Sequence, residues 1–406
     1  MTALYSASAD VVSDGSHKFQ STHDEKPSSA KQRQKRRRPR LDLSRQGLDP
    51  AQNYFHAPLV HHERYSFDDW PEQHTFPMDK FARIAHALQT TCKRTLASSP
   101  LPRPLVACPN DFFRPLDWAD IPVHDWLCGP IDEDFVHRFL LGQLTVDECR
   151  TIGFREQTAR PELVERTVLE VAGTVLTAQL ALTYGIAANT AGGTHHAHPQ
   201  GGAGYTILND LAVTTHVLTA DPKTYGVKRV LTIDCDVHQG DGTAKFGAQS
   251  SLLQGKLFTL SLHCESNYPF DKAQSTFDVG LPDGMQDEAY LQVLRESVEL
   301  ALDQVQPDLV LYDAGVDIYQ HDRLGRLDIS EAGIRQRDRF VMDTCVTRGI
   351  PVAAVVGGGY DKDVDALARR HALVHEEAAY VWRKHKLWQR VSERQDDDDD
   401  DDDNNS

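Results

Sequence analysis

The sequence lacks the patterns that mark disulfide-built, thiolate-metal or nucleic-acid-binding proteins. Its seven cysteines, at positions 92, 108, 128, 149, 235, 264 and 345, are odd in number and include no CxxC pair. That spacing argues against a disulfide framework and a thiolate zinc centre, and it suits a reducing compartment. The first thirty residues are polar and carry Asp10, Asp14, Asp24 and Glu25, so neither a secretory signal nor a transit peptide is expected. Positive charge is scarce as well. The net charge is -17, and without its two charged ends the chain still holds 36 basic against 52 acidic residues. Such a body is a poor nucleic-acid-binding surface and suits a cationic substrate. Internal repeats are missing too.

A long uncharged stretch occurs once, at Val171 to Ala188, "VAGTVLTAQLALTYGIAA". It contains Gln179 and continues the charged helical pattern of "PELVERTVLE". It therefore reads as a buried helix running into a turn and a strand, and no membrane span is expected.

At 406 residues and 40% hydrophobic, the chain can bury a sizeable core in one large domain or two ordinary ones. Residues 1–50 are Ser-, Gln- and Lys/Arg-rich and read as a disordered basic arm. Within it "KQRQKRRRPR", Lys31 to Arg40, holds seven basic residues and reads as a nuclear import signal, with a cytoplasmic protein as the alternative. Residues 391–406, with eight consecutive aspartates at Asp396 to Asp403, read as a solvated acidic tail.

Between the ends, residues 51–390 alternate strand and helix. "YGIAANTAGG", "KRVLTIDCD", "LFTLSLH", "PDLVLYDAG" and "IPVAAVVGGG" read as short buried strands, and Asn209 to Thr219, Asp287 to Val305 and Ser330 to Thr347 as helices. This predicts an α/β fold: a single three-layer domain with a mostly parallel central sheet. Ligands of such sheets gather at the carboxyl ends of the strands, and here those ends are unusual.

"IDCDVHQGDGT" puts Asp234, Asp236, His238 and Asp241 where a buried strand finishes. Asp236 and His238, two apart, point the same way and make half of a divalent metal site, although D-x-H alone is a weak signal. Asp234 is placed to brace a histidine or bind a second cation. "AGGTHHAHPQGGAGY" supplies His195 and His196, for acid/base work or ligation, or else as an exposed loop pair. His198 has no partner spacing and is assigned no role. Asp317 in "YDAGVDIYQHDRLG" is either a second carboxylate ligand or a helix N-cap. Tyr360 follows the glycines of "VVGGGYDKD", at a ligand's edge or as a packed aromatic. Four such clusters on successive strand ends are not independent accidents. Carboxylates collect at buried strand ends because a divalent cation sits among them.

Together "GGTHHA", "GYTILND", "DCDVHQGDGT", "GVDIYQHDRLG" and "GGGY" resemble the zinc-dependent histone deacetylases of the arginase/deacetylase superfamily. "FPMDKFARI", "ESNYPF", "DVGLPDG" and "DRLGRLDIS" bring the chain nearest to class IV and bacterial deacetylase-like proteins. The resemblance runs from about residue 55 to about 385. It implies metal ligands Asp236, His238 and Asp317, holding zinc or, alternatively, iron(II). It implies catalytic residues His195, His196, Asp234, Asp241 and Tyr360, and substrate-binding residues Gly204, Tyr205 and Tyr268, with Tyr205 facing Tyr268 across a tunnel. A monovalent cation, K+, would sit against Asp234, Asp236, His238, Ser261 and Leu262.

Two departures stand out. Tyr205-Thr206 replaces the Phe-Cys usual after the tunnel glycine, and Gly240 stands where arginases carry a further aspartate, which disfavours a two-manganese site. The implied activity is removal of acetyl or longer acyl groups from lysines of histones or other proteins. The alternatives are deacylation of small amines such as acetylpolyamines, or a catalytically silent acyl-lysine binding protein.

Overall fold

Seven strands line up in the order β1-β2-β7-β6-β3-β4-β5, and every neighbouring pair is parallel in the computed structural model. The strands are β1 Leu59–Val60, β2 Ile186–Asn189, β3 Val230–Asp234, β4 Leu257–Cys264, β5 Phe277–Leu281, β6 Leu309–Asp313 and β7 Val352–Val355. The structure describes residues 55–90 and 104–389. The basic run at Lys31 to Arg40 and the aspartate run at Asp396 to Asp403 lie outside them.

The middle strands are apolar along their whole length because helices cover both faces. "VLTID" and "LVLYD" are buried at every position. One helical layer contains Pro161–Tyr184, Asp210–Ala220 and Asp241–Gln249. The other contains Lys80–Gln89, Asp287–Val305, Glu331–Thr347 and Val364–Lys384. Helix Pro161–Tyr184 is long and apolar enough to cross a membrane, but 83% of its most apolar window is buried inside the protein. It ends at Gly185 and leads directly into β2. The helix starts are capped as their residue types suggest: Asn209, Ser330 and Asp363 accept from the backbone N–H groups of Ala212, Gly333 and Ala366.

The chain order creates a switch point. From β3 the chain steps outward to β4 and β5, then returns to the other side of β3 for β6 and β7. Connections therefore diverge between β3 and β6 and leave a crevice at their carboxyl ends. Register sets Asp234 beside Asp313 on β6 and beside Ser261 on β4. Arg337, fully buried, ties the two strand exits together. Its guanidinium donates to the carbonyls of Cys235, Ala314 and Gly315, and it pairs with Asp338 at 2.8 Å.

Candidate active site

Three strand exits converge on one buried cluster. After β3, the Asp236 carboxylate accepts from the backbone N–H of His238 at 2.9 Å, and the His238 Nδ1 lies 3.0 Å from the same oxygen. After β6, Asp317 Oδ1 accepts from Val237 N at 2.9 Å. Its other oxygen is buried 3.2 Å from His238 Nδ1 and has no hydrogen-bond partner. After β7, Gly358 N donates to Asp236 Oδ2 at 2.7 Å. Asp317 caps no helix.

Asp236, His238 and Asp317 each offer one ligand atom, all within 4.8 Å of one another. Burial and the charge of Asp236 push the Asp317 carboxyl up to about 6. Burial also opposes ionisation of Asp236, but His195 and His238 outweigh it and hold that carboxyl well below its usual value. Burial opposes charging of His238, yet its two carboxylate partners raise it to about 10. Two buried carboxylates around one imidazole, with an orphaned oxygen, form a donor set that suits a divalent cation. The residues present fit a metal.

Next to this cluster stand two His–Asp pairs. His195 Nδ1 lies 2.8 Å from Asp234 Oδ2, and His196 Nδ1 lies 2.7 Å from Asp241 Oδ1. Asp241 is held down by its two histidines against the effect of burial, so its carboxylate can only accept and His196 must present Nδ1–H to it. The Nε2 lone pair of His196 is thereby left free. The two imidazoles are electrostatically unlike. Burial and the charge of His195 bring His196 down to about 4, so it is neutral near pH 7. Burial disfavours charge on His195 too, but Asp234 and Asp236 overcome it and hold the ring protonated. The loop carrying both is fixed by Asp210, whose carboxylate accepts from Gly193 N, Thr194 N, Thr194 Oγ1 and Thr174 Oγ1.

One cavity joins these groups. His195, His196, Asp236, His238 and Tyr360 line it, together with Lys80, Arg166 and Glu170. Burial, followed by the charge of Asp317, keeps the Tyr360 phenol well above its usual range, so it remains a donor. Gly204 and Tyr205 form part of the wall. Both have positive φ, +54° and +64°, between the antiparallel bridge partners Ala203 and Thr206, the geometry of a two-residue hairpin turn. The Tyr205 ring stacks on Phe154 at 5.7 Å. The Tyr268 ring stands edge-on to His196 at 4.9 Å and to His238 at 6.4 Å.

Residues 134–376 match the family described as "Histone deacetylase domain". The chain belongs to the histone deacetylase family. An uncharacterized protein of Picosynechococcus is 42% identical to this deacetylase-family chain over 325 residues, 80% of this chain and 99% of that relative. Histone deacetylase 2 of Arabidopsis thaliana is 35% identical over 208 residues, 49% of this chain and 52% of that one. The crystal structure of the HDA15 HD domain superposes with a TM-score of 0.54 at 19% identity, covering 84% of this chain and 97% of that one. At that identity the likeness is one of fold. The chain is a hydrolase of deacetylase type.

Several further residues at this candidate site were assigned no role from the sequence. His198 was given no role, yet its Nε2 lies 3.2 Å from Asp241, the partner of His196. Lys80 reaches the cavity from the amino-terminal part of the chain and donates to Gly357 O at 2.8 Å; burial lowers it to about 8. Arg166 pairs with Glu170 at 2.8 Å beside it. Asp313 is buried with both oxygens unpartnered, 3.8 Å from His195 Nδ1. Asp322 supports Tyr360 by accepting from its backbone N–H at 2.7 Å.

Proposed function

We propose that this protein hydrolyses acetyl or longer acyl groups from lysine side chains of histones or other proteins. Zinc, or alternatively iron(II), would be held by Asp236, His238 and Asp317. The observation that carries this reading is that Asp236, His238, His196 and Tyr360 line one cavity, with Asp317 completing the donor set and Asp241 held on His196. When bound, the metal supplies Lewis acidity, withdrawing electron density from an acyl carbonyl and making water acidic enough to attack near neutral pH.

The protein groups have separate tasks. His196, neutral and with Nε2 free, takes a proton from the attacking water and returns it to the departing amine. Asp241 fixes its tautomer and stabilises the imidazolium that forms. His195, already charged on Asp234, keeps His196 from holding a proton prematurely. Tyr360 donates to the oxygen that gains charge as the carbonyl carbon becomes tetrahedral. The products are an amine and a carboxylic acid, and the Lys80 and Arg166 cations suit the carboxylate. Gly204 and Tyr205 flank the acyl-lysine stem, with Tyr268 behind His196. A K+ ion against Asp234, Asp236, His238, Ser261 and Leu262 would stiffen the β3 exit.

The acidic body suits lysine peptides and polyamines alike, so the substrate class is tested directly. Metal-loaded protein is assayed on an acetyl-lysine peptide, a long-chain acyl-lysine peptide and an N-acetylated polyamine, alongside Tyr360→Phe. Peptide hydrolysis, with turnover reduced in Tyr360→Phe by roughly 10²- to 10³-fold and binding nearly unchanged, is the expected result. Preference for the polyamine would move the substrate class, and peptide binding without hydrolysis would make the protein a reader. The basic run at Lys31 to Arg40 is proposed to direct the enzyme to the nucleus; a fusion lacking residues 1–45 should leave it while keeping activity.

A further inference from the structure

A second group of ligand-bearing side chains lies on the surface, away from the cavity. His124 belongs to helix Val123–Leu127, and Cys128 follows as its C-cap, one turn further on. Glu133 and His137 are likewise one turn apart on helix Glu133–Leu140. Side chains four apart share a helix face, so each helix presents a pair of donors. The two imidazoles stack, with centroids 6.4 Å apart and planes 14° from parallel. One ligand atom from each of the four residues lies within 4.8 Å of all the others. No other side-chain hydrogen bond or ion pair engages these four among the described residues.

The hairpin between the helices is firmly built. Ile131 N donates to Leu127 O at 3.1 Å, and Leu127, Ile131, Phe135 and Val136 are buried beneath it. Gly129, at φ +122°, makes the sharp change of direction that a side chain would resist. Asp132 caps the second helix by accepting from Phe135 N at 2.9 Å. The backbone is thus preorganised, and His124, Glu133 and His137, all exposed, are free to adjust. Donors around a tetrahedral zinc, bound at about 2.0 to 2.3 Å, stand roughly 3.3 to 3.8 Å apart. Small rotations of exposed side chains close the difference.

We propose that His124, Cys128, Glu133 and His137 form a second metal site, which clips these two helices together. Two imidazoles, a thiolate and one carboxylate select a zinc-like ion; magnesium and calcium prefer shells of oxygen alone. The site connects to the reaction centre through one backbone bond. Asp132 N donates to Pro199 O at 2.7 Å, one residue beyond His198, which contacts Asp241. Occupancy would therefore stiffen the loop behind the His196 pair.

The test exploits sulfur. The Asp236, His238 and Asp317 donor set contains none, so a sulfur-to-metal charge-transfer band that depends on Cys128 reports the surface site. The full chain is stripped with a chelator and titrated with cobalt(II), and zinc content is measured after dialysis. Wild type should develop a near-ultraviolet thiolate–cobalt band and retain about two zinc ions per chain, against about one in Cys128→Ser and in the double variant His124→Ala/His137→Ala. Both variants should lose the band and keep acyl-peptide hydrolysis at the same order of magnitude. Metal-free circular dichroism matching wild type would confirm that they fold. A wild-type protein without the band, or a band that persists in Cys128→Ser, would overturn the proposal.

Discussion

The Gly358 N–H donates to Asp236 Oδ2 at 2.7 Å, reaching from the exit of β7 across β6 to the exit of β3. With the bond from His238 N, it orients one carboxylate of the proposed metal set, and residue 358 has no room for a side chain. A Cβ at residue 358 would stand 2.3 Å from Asp317 Oδ2 and 2.5 Å from Asp236 Oδ2, closer than any real contact.

Gly358→Ala should therefore displace both carboxylates while leaving the sheet intact. Metal content should fall and turnover drop by roughly 10²-fold or more, since displacements near 1 Å cost that much at a reacting centre. Metal analysis and steady-state kinetics, with a melting curve as control, check it. Full metal content and full turnover in the variant would mean that these oxygens do not hold the ion.

Asp241→Asn addresses the His196 tautomer. Asparagine keeps the shape but not the charge, so Nδ1–H of His196 is no longer fixed and its imidazolium loses a counter-ion. Turnover should fall by about 10²- to 10⁴-fold, the usual range for general acid–base catalysis, with metal content unchanged. An effect confined to KM would show that the pair positions substrate instead.

Buried neutral histidines should make the protein acid-labile. Burial above all brings His61 down to about 4, and burial with the Lys80 charge holds His371 well below its usual value. Both ring nitrogens of His371 are unpartnered. An unfolded chain binds protons on these rings near pH 6.5, and the folded chain does not. On these two rings unfolding takes up protons below pH 6.5, so their contribution to stability falls as the pH drops from 6.5 towards 4. The slope is about 1.4 kcal/mol per pH unit for each histidine, and it vanishes above pH 6.5. Urea unfolding at pH 8, 7, 6 and 5 measures it. The loss of stability between pH 7 and 5 should be smaller in His371→Gln than in wild type; an unchanged loss would contradict the neutral assignment of His371.

How far the sequence disclosed all this depended on whether a signal was local. Strands β2, β3, β4, β6 and β7 are apolar runs that lead into Gly, His or Asp, and each was legible. So was helix Asp287–Val305, at both ends. β1 has two residues and β5 is a half-exposed edge strand, so neither carries a run long enough to read. Asp236, His238 and Asp317 could be named because they sit at strand ends. Lys80 and Arg166 could not: they lie on helices, among ordinary helical residues, and meet the cavity only through tertiary packing. His198 looked solitary because its partner Asp241 belongs to another strand exit. The pairing of His124 and Cys128 with Glu133 and His137 escaped a search for CxxC for the same reason, since the halves come from two helices.

The central claim is that hydrolysis requires the metal held at the β3 and β6 exits. The most direct measurement is hydrolysis of an acetyl-lysine peptide by the full chain as purified, after chelator stripping, and after resupply of zinc or iron(II), with Asp317→Ala in parallel. The account predicts that stripping abolishes turnover, that resupply restores it in wild type, and that Asp317→Ala stays inactive throughout. Full turnover by the stripped chain, or full rescue of Asp317→Ala by added metal, would contradict it.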